Sequence, residues 1–198
     1  MTQNSSKPFY LLSASPRRRE LLGRLGIKPI VAPVDLEEFH DPNLSPDKLT
    51  LSLAAQKMDA FLSQSSLPPE SAALTADTIV HAEGRHLGKP SDRNEAKEML
   101  CHLSGKEHLV STGFVLILDG KRHESVETTT VCFHTLSDRD IDFYLDLKEW
   151  HDAAGAYKIQ EGGEIMINWI KGSWSNVMGL PISSIYAILR DENYWAEK

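Results

Sequence analysis

The chain has only two cysteines in 198 residues, Cys101 and Cys132. That is too few for a disulfide framework, and no CxxC pair is present to hold zinc. No apolar run is long enough to cross a bilayer, and the start lacks the pattern of a secretory signal. There is no Walker-type glycine loop and no HExxH pair; the eight histidines are scattered along the chain. Neither an internal repeat nor a low-complexity tract appears. A basic excess is missing as well. The formal net charge of −7 argues against a nonspecific nucleic-acid binder, whose affinity would rest on many Lys/Arg–phosphate contacts. These absences predict a cytoplasmic globular protein with no membrane or nucleic-acid partner. Its length suits a single domain, residues 1–198, large enough to bury a core.

Against that acidic background, Arg17-Arg18-Arg19 is a local inversion of charge. Phe9 to Leu12 is a short apolar run that suits a buried strand. Ser15-Pro16 then reads as a helix start, a serine N-cap followed by proline at the first helical position. Leu21, Leu22 and Leu25 share one face, and Gly26 sits where a C-terminal cap belongs. The three arginines occupy the first turn, where the helix macrodipole already places positive charge. Stability alone would put acids there. Strand, tight turn, free helix N–H groups and guanidinium groups together suit a phosphate, and a small polyanion fits better than a long one. The bland alternative is a solvated basic turn.

Further on, Pro29 to Val34 reads as a strand running into Asp35-Leu36-Glu37-Glu38. Ser45-Pro46 repeats the cap-plus-proline start of a helix to about Leu62, with Leu49, Leu53, Ala60 and Phe61 on its apolar stripe. Lys57 falls inside that stripe, either as a snorkelling lysine or as a cation on the wall of a cleft. Ala72 to Val80 is apolar enough for a central strand, yet Asp77 interrupts it. A buried carboxylate costs several kcal/mol unless it is paired, hydrogen-bonded or on a metal. Asp77 is therefore a candidate base or Mg²⁺ ligand, or else a strand-end residue capping a turn.

Glu83-Gly84 predicts a hairpin turn, and Asp92 with Glu95 a capping box for a helix carrying Ala96, Met99, Leu100 and Leu103. Two long strands follow, about His108 to Leu118 and Ser125 to Leu136, joined at Asp119-Gly120. Ser137 caps a helix bearing Ile141, Tyr144 and Leu145. From Glu149 the chain is irregular and glycine-rich. Glu164 to Ile170 reads as a strand, Gly172 to Leu180 as a loop, and Pro181 as the start of a last helix. Interleaved helices, strands and hairpins predict an α/β fold with a mixed sheet.

Several of these stretches together resemble the Maf family of nucleoside triphosphate pyrophosphatases. They are Ser13-Ala14-Ser15-Pro16-Arg17-Arg18, Ala76-Asp77-Thr78, Gly88-Lys89-Pro90, Leu103-Ser104-Gly105-Lys106, Ser111-Thr112-Gly113, Ala154-Gly155-Ala156-Tyr157-Lys158-Ile159-Gln160 and Asn176-Val177-Met178-Gly179-Leu180-Pro181. Each is weak alone; their collinear order covers nearly the whole chain. The resemblance implies a long curved mixed sheet with flanking helices and two lobes around a central cleft, similar to inosine triphosphate pyrophosphatases. It also implies a homodimer. It makes Ser13, Arg17, Arg18, Lys57 and Lys89 triphosphate contacts, Asp77 the acceptor of a water proton, and Glu38 with Asp77 the carboxylates near a divalent metal. Arg17, Thr78 and Gln160 match the family's dTTP/UTP group, whereas its 7-methyl-GTP group is similar to tryptophan, glutamine and glutamate at those positions. Ser52, Trp150 and Glu161 stand where the family usually has arginine, proline and glycine.

The chemistry implied is attack of water on the α-phosphorus, giving the nucleoside monophosphate and pyrophosphate. Four cations would balance the triphosphate, the guanidinium forks suiting bidentate contacts and the lysines acting as point charges. Mg²⁺ or Mn²⁺ would lie on Asp77 and a glutamate near position 38. Asp77 as base and Asp77 as inner-sphere ligand stay alternatives. Gln160 can pair with a carbonyl and an N–H on a uracil or thymine edge. The rival from another class is a nucleotide-binding regulator of cell division with little turnover.

Overall fold

A computed structural model describes residues 7–195. Among them, seven strands form one open mixed sheet in the order β2-β1-β3-β5-β6-β7, with β4 paired to β3. The strands are β1 Phe9–Leu11, β2 Ile30–Val31, β3 Ala72–Ala82, β4 Arg85–Leu87, β5 Glu107–Leu118, β6 Lys121–Phe133 and β7 Ile167–Lys171. The helices are α1 Pro16–Arg24, α2 Pro46–Gln64, α3 Arg93–Leu103, α4 Asp138–Asp146, α5 Trp174–Met178 and α6 Ile182–Asp191. The α/β class with a mixed sheet is the one the residue pattern predicts. Two compact units share the chain. The first takes the described parts of Met1–Asp77, Thr112–Val126 and Gly179–Lys198, and the second takes Thr78–Ser111 and Glu127–Met178.

In the first unit β1 lies parallel to both β2 and β3. The connection from β1 through α1 leads to β2 on one side, and α2 then leads to β3 on the other. The carboxyl end of β1 is thus a topological switch point, where open α/β sheets place their ligands. Ser15 caps α1, its Oγ accepting from Arg18 N at 3.4 Å, and Gly26 just past the helix takes φ +75°. Only Ile30–Val31 of the expected Pro29–Val34 run is strand. One core cluster of this unit joins Leu12, Ala54, Met58, Ala73, Val115 and Ile117.

Two contacts fix α2 on the sheet. Buried Thr75 donates its Oγ1–H to Ala54 O at 2.7 Å. At Gly113 a Cβ would lie 2.4 Å from Leu51 N and 2.5 Å from the Thr50 carbonyl carbon, so the glycine lets strand and helix backbones touch.

In the second unit, Glu83 and Gly84 both have positive φ and join β3 to β4 as a tight hairpin, as an Xaa-Gly turn should. Asp92 caps α3 by accepting from Asn94 N and Glu95 N. The expected capping box is incomplete: the Glu95 carboxylate accepts from Ser91 N and Ser91 Oγ, one residue earlier. The full box is at α4, between Ser137 and Asp140.

The segment read as a strand from Glu164 begins as a 3-10 turn, Gly162–Met166, and β7 starts only at Ile167. Gly163 explains the shift. A Cβ there would meet Lys158 O at 2.4 Å, so the chain doubles back on itself before it can extend. The stretch read as loop contains the five-residue α5. Ser173 Oγ accepts from Asn176 N at 3.2 Å, a serine cap that a glycine and tryptophan neighbourhood hid. β6 also begins four residues earlier than expected, at Lys121.

Candidate active site

The Ser13–Ser15 turn leaves the sheet at the carboxyl end of β1. The last ladder bond runs from Leu12 N to Leu74 O at 2.9 Å, so the turn departs at the level where β3 continues toward Asp77. Ser13 Oγ accepts from Ser15 N at 3.3 Å and from Arg18 Nη1 at 3.1 Å. Arg18 Nε donates to Gly179 O at 2.9 Å. The guanidinium is therefore tied to both the turn and the entry to α6, which fixes its plane before any anion arrives. Arg17 is half-buried beside it and Arg19 is exposed. The helix N-terminus with oriented guanidinium groups favours an anion with several oxygens.

The carboxylates form a second group in the same unit. Lys57 Nζ lies 2.5 Å from Asp77 Oδ1 and 3.0 Å from Glu38 Oε1. Lys57 and Asp77 side chains are 16% and 17% exposed, so this is no surface pair of the kind worth little. The choice between a snorkelling and an inward lysine is decided by these distances: Lys57 points at acids. Glu38 is half-buried and Glu37 exposed, and Glu38 is the member of that pair that reaches Lys57. His40 Nε2 lies 3.4 Å from its other oxygen.

No set of three His, Cys, Asp or Glu side chains among the described residues gathers as a metal cage. Two carboxylates are nevertheless what Mg²⁺ usually takes from a protein when substrate phosphates and water complete its shell. Glu38 and Asp77, drawn to one ammonium, are such a set, and the donors fit.

The remaining three sequence candidates belong to the second unit. Thr78 follows Asp77 along β3 and is half-buried. Lys89 is exposed, and its ammonium is paired with the Asp152 carboxylate. Asp152 is a partner that sequence reading missed. It is a non-glycine residue with φ +61°, in a turn held against Lys89 by Gly155 N donating to Gly88 O at 3.1 Å. Gly155 has φ +68° and its Cβ position lies 3.1 Å from both methyls of Val80, so only glycine sits there without strain. Gln160 Nε2 donates to Glu161 Oε1 at 3.2 Å. Gln160 Oε1 is buried and has no hydrogen-bond partner among the described residues, a costly state unless something donates to it. Gly179 O, as the acceptor that orients Arg18, was also invisible in sequence.

The described residues thus form an open α/β fold with a mixed sheet, in which a turn bearing serine and arginine follows β1 and two carboxylates, Glu38 and Asp77, meet at Lys57. The chain belongs to the Maf-like proteins: the model of that family matches residues 8–192. It is similar to the dTTP/UTP pyrophosphatase of Carboxydothermus hydrogenoformans, 43% identical over 189 residues, covering 94% of this chain and 99% of the relative. The dTTP/UTP pyrophosphatase of Pyrococcus abyssi is 42% identical over 183 residues, 92% of this chain and 95% of the relative. That of Syntrophus aciditrophicus is 40% identical over 188 residues, 94% and 90%.

Proposed function

We propose that this protein hydrolyses the α–β phosphoanhydride of dTTP and UTP, releasing the nucleoside monophosphate and pyrophosphate. The observation that carries the reading is the Glu38–Lys57–Asp77 triad, with Lys57 2.5 Å from Asp77 and 3.0 Å from Glu38, on a chain whose near-full-length relatives bear the dTTP/UTP pyrophosphatase name. Ser13, Arg17, Arg18 and the N–H groups opening α1 bind the phosphate tail. Lys57 and Lys89 add compact positive charge against it. Asp77 accepts the proton of the attacking water as its oxygen bonds to the α-phosphorus, and the bridging oxygen leaves with pyrophosphate. Glu38, together with Asp77 where Asp77 is the inner-sphere ligand and not the base, would hold Mg²⁺ or Mn²⁺, which would supply charge neutralisation and a lowered pKa for water. Gln160 offers its buried Oε1 to the ring N–H of uracil or thymine, and Thr78 and Arg17 complete the dTTP/UTP pattern.

The chain works as a single Maf domain, as a homodimer and in the cytoplasm. Among the described residues no helix is long and apolar enough to cross a membrane.

The test is a panel of nucleoside triphosphates with Mg²⁺ or Mn²⁺, scored for pyrophosphate. dTTP and UTP should yield pyrophosphate, and Asp77→Asn should lose about 10²-fold or more of the turnover while still binding nucleotide. Release of orthophosphate in single steps defeats the reaction, and equal rates on GTP and UTP defeat the base assignment. A regulator would bind nucleotide and release nothing.

A further inference from the structure

Lys57 is a cation standing where the reaction needs a different one. Its Nζ is 2.5 Å from Asp77 Oδ1 and 3.0 Å from Glu38 Oε1, and the other oxygen of Glu38 faces exposed His40 at 3.4 Å. An ammonium at those distances uses the lone pairs by which carboxylates bind Mg²⁺ or Mn²⁺. With metal–oxygen distances of about 2.0–2.1 Å, a divalent ion and this ammonium exclude one another from the pair. They also repel as like charges, most strongly where little water screens them.

The ammonium cannot be withdrawn by sliding its helix. Thr75 holds Ala54 one turn before Lys57, and Gly113 lets β5 touch the helix backbone at Thr50 and Leu51. With α2 fixed, rotation of the flexible Lys57 side chain is the way this ammonium leaves the carboxylates, and a polyphosphate is the anion suited to draw it off. We infer that Lys57 competes with the divalent cation for Glu38 and Asp77, and keeps the free cation weakly bound when no polyphosphate is present. The role of the polyphosphate rests on the pyrophosphatase reading; the competition itself does not.

Titrating Mn²⁺ into the nucleotide-free protein, and following free Mn²⁺ by electron paramagnetic resonance, tests this. Wild type and Lys57→Arg, which keeps the charge, should bind weakly. Lys57→Met, which keeps the stem and loses the charge, should bind about tenfold tighter or better. Mn²⁺ should also raise the thermal midpoint of Lys57→Met more than that of wild type, because ligand binding to the native state stabilises it. Adding Glu38→Gln to Lys57→Met should remove the gain.

The inference is overturned if Lys57→Met binds Mn²⁺ no tighter than wild type. It is equally overturned if Lys57→Arg tightens as much, since the cause is then loosened packing, or if the gain survives Glu38→Gln. Pyrophosphate release from dTTP by wild type is scored separately. Its absence would sink the pyrophosphatase reading and leave the Mn²⁺ comparison to decide the competition.

Discussion

At the scale of single residues, burial with the right partner separates working groups from structural ones. His108 is a structural case. It is 2% exposed, packed edge-on against Phe133 and Tyr157, with Nε2 2.8 Å from the Tyr157 hydroxyl. Burial pushes its pKa down to about 4, below the ordinary histidine value, so the native state refuses a proton that the unfolded chain accepts. Above pH 6.5 neither state is charged and the His108 contribution is intact. Between pH 6.5 and 4 it drains away at up to about 1.4 kcal/mol per pH unit, about 3 kcal/mol in all. Urea midpoints measured across that window should fall less steeply for His108→Gln than for wild type. Parallel slopes would show that His108 charges freely in the native state. Gln160 is a second case, a side chain whose buried Oε1 finds no donor among the described residues. Gln160→Leu removes the acceptor, and should cut kcat/KM for UTP about 10-fold or more while leaving the folded state as stable or stabler. Unchanged selectivity among nucleotides would exclude it from base recognition.

At the scale of elements, much of what depended on neighbours in sequence was readable, though the serine cap of α5 and the 3-10 turn before β7 were not. The Ser15 and Ser137 caps, both Xaa-Gly hairpins and the buried faces of α1, α3 and α4 rest on contacts within a few residues. Asp77 was suspect because a carboxylate in an apolar run needs a partner. Its partner could not be read, since Lys57 lies twenty residues away on a different element and only the packing of α2 brings it within 2.5 Å. The 3-10 turn at Gly162–Met166 escaped for a different reason: what forces it is a local backbone approach to Lys158, five residues before Gly163, that no side-chain pattern announces. The motif glycine Gly113 now has a mechanical explanation of this kind. A Cβ at 2.4–2.6 Å from the backbone of Thr50 and Leu51 cannot be relieved by turning a side chain. Gly113→Ala is expected to push α2 off the sheet. It should destabilise by about 1–3 kcal/mol, read as a lower denaturant midpoint. It should also slow turnover about 10²-fold, because α2 carries Lys57 and a shift near 1 Å costs that much. A variant with full activity would mean that β5 yields instead and that the position of α2 matters little.

At the scale of the whole molecule, charge sets up a contest whose sign can be measured. The protein carries a net −7 and its proposed substrate is a polyanion, so the long-range field repels what the site must bind. Locally the balance is reversed, with Arg17, Arg18 and Arg19 on one helical turn and the dipole of α1 adding to them. Salt discriminates between the two fields. At low ionic strength of about 0.01 M the screening length is about 30 Å and the whole protein is felt, whereas at about 0.1 M it is about 10 Å and distant charges drop out. If the global charge governed capture, added salt would relieve repulsion and lower KM. Contacts made by the basic turn predict the reverse, a KM for dTTP that rises several-fold over that range, about three- to tenfold, with kcat nearly unchanged and Mg²⁺ held constant. Replacing Arg17 by Gln should flatten the rise, whereas replacing exposed Arg190, on α6 and paired with Asp191, should leave it intact. A KM that falls with salt in wild type would place the substrate's phosphates away from the opening of α1.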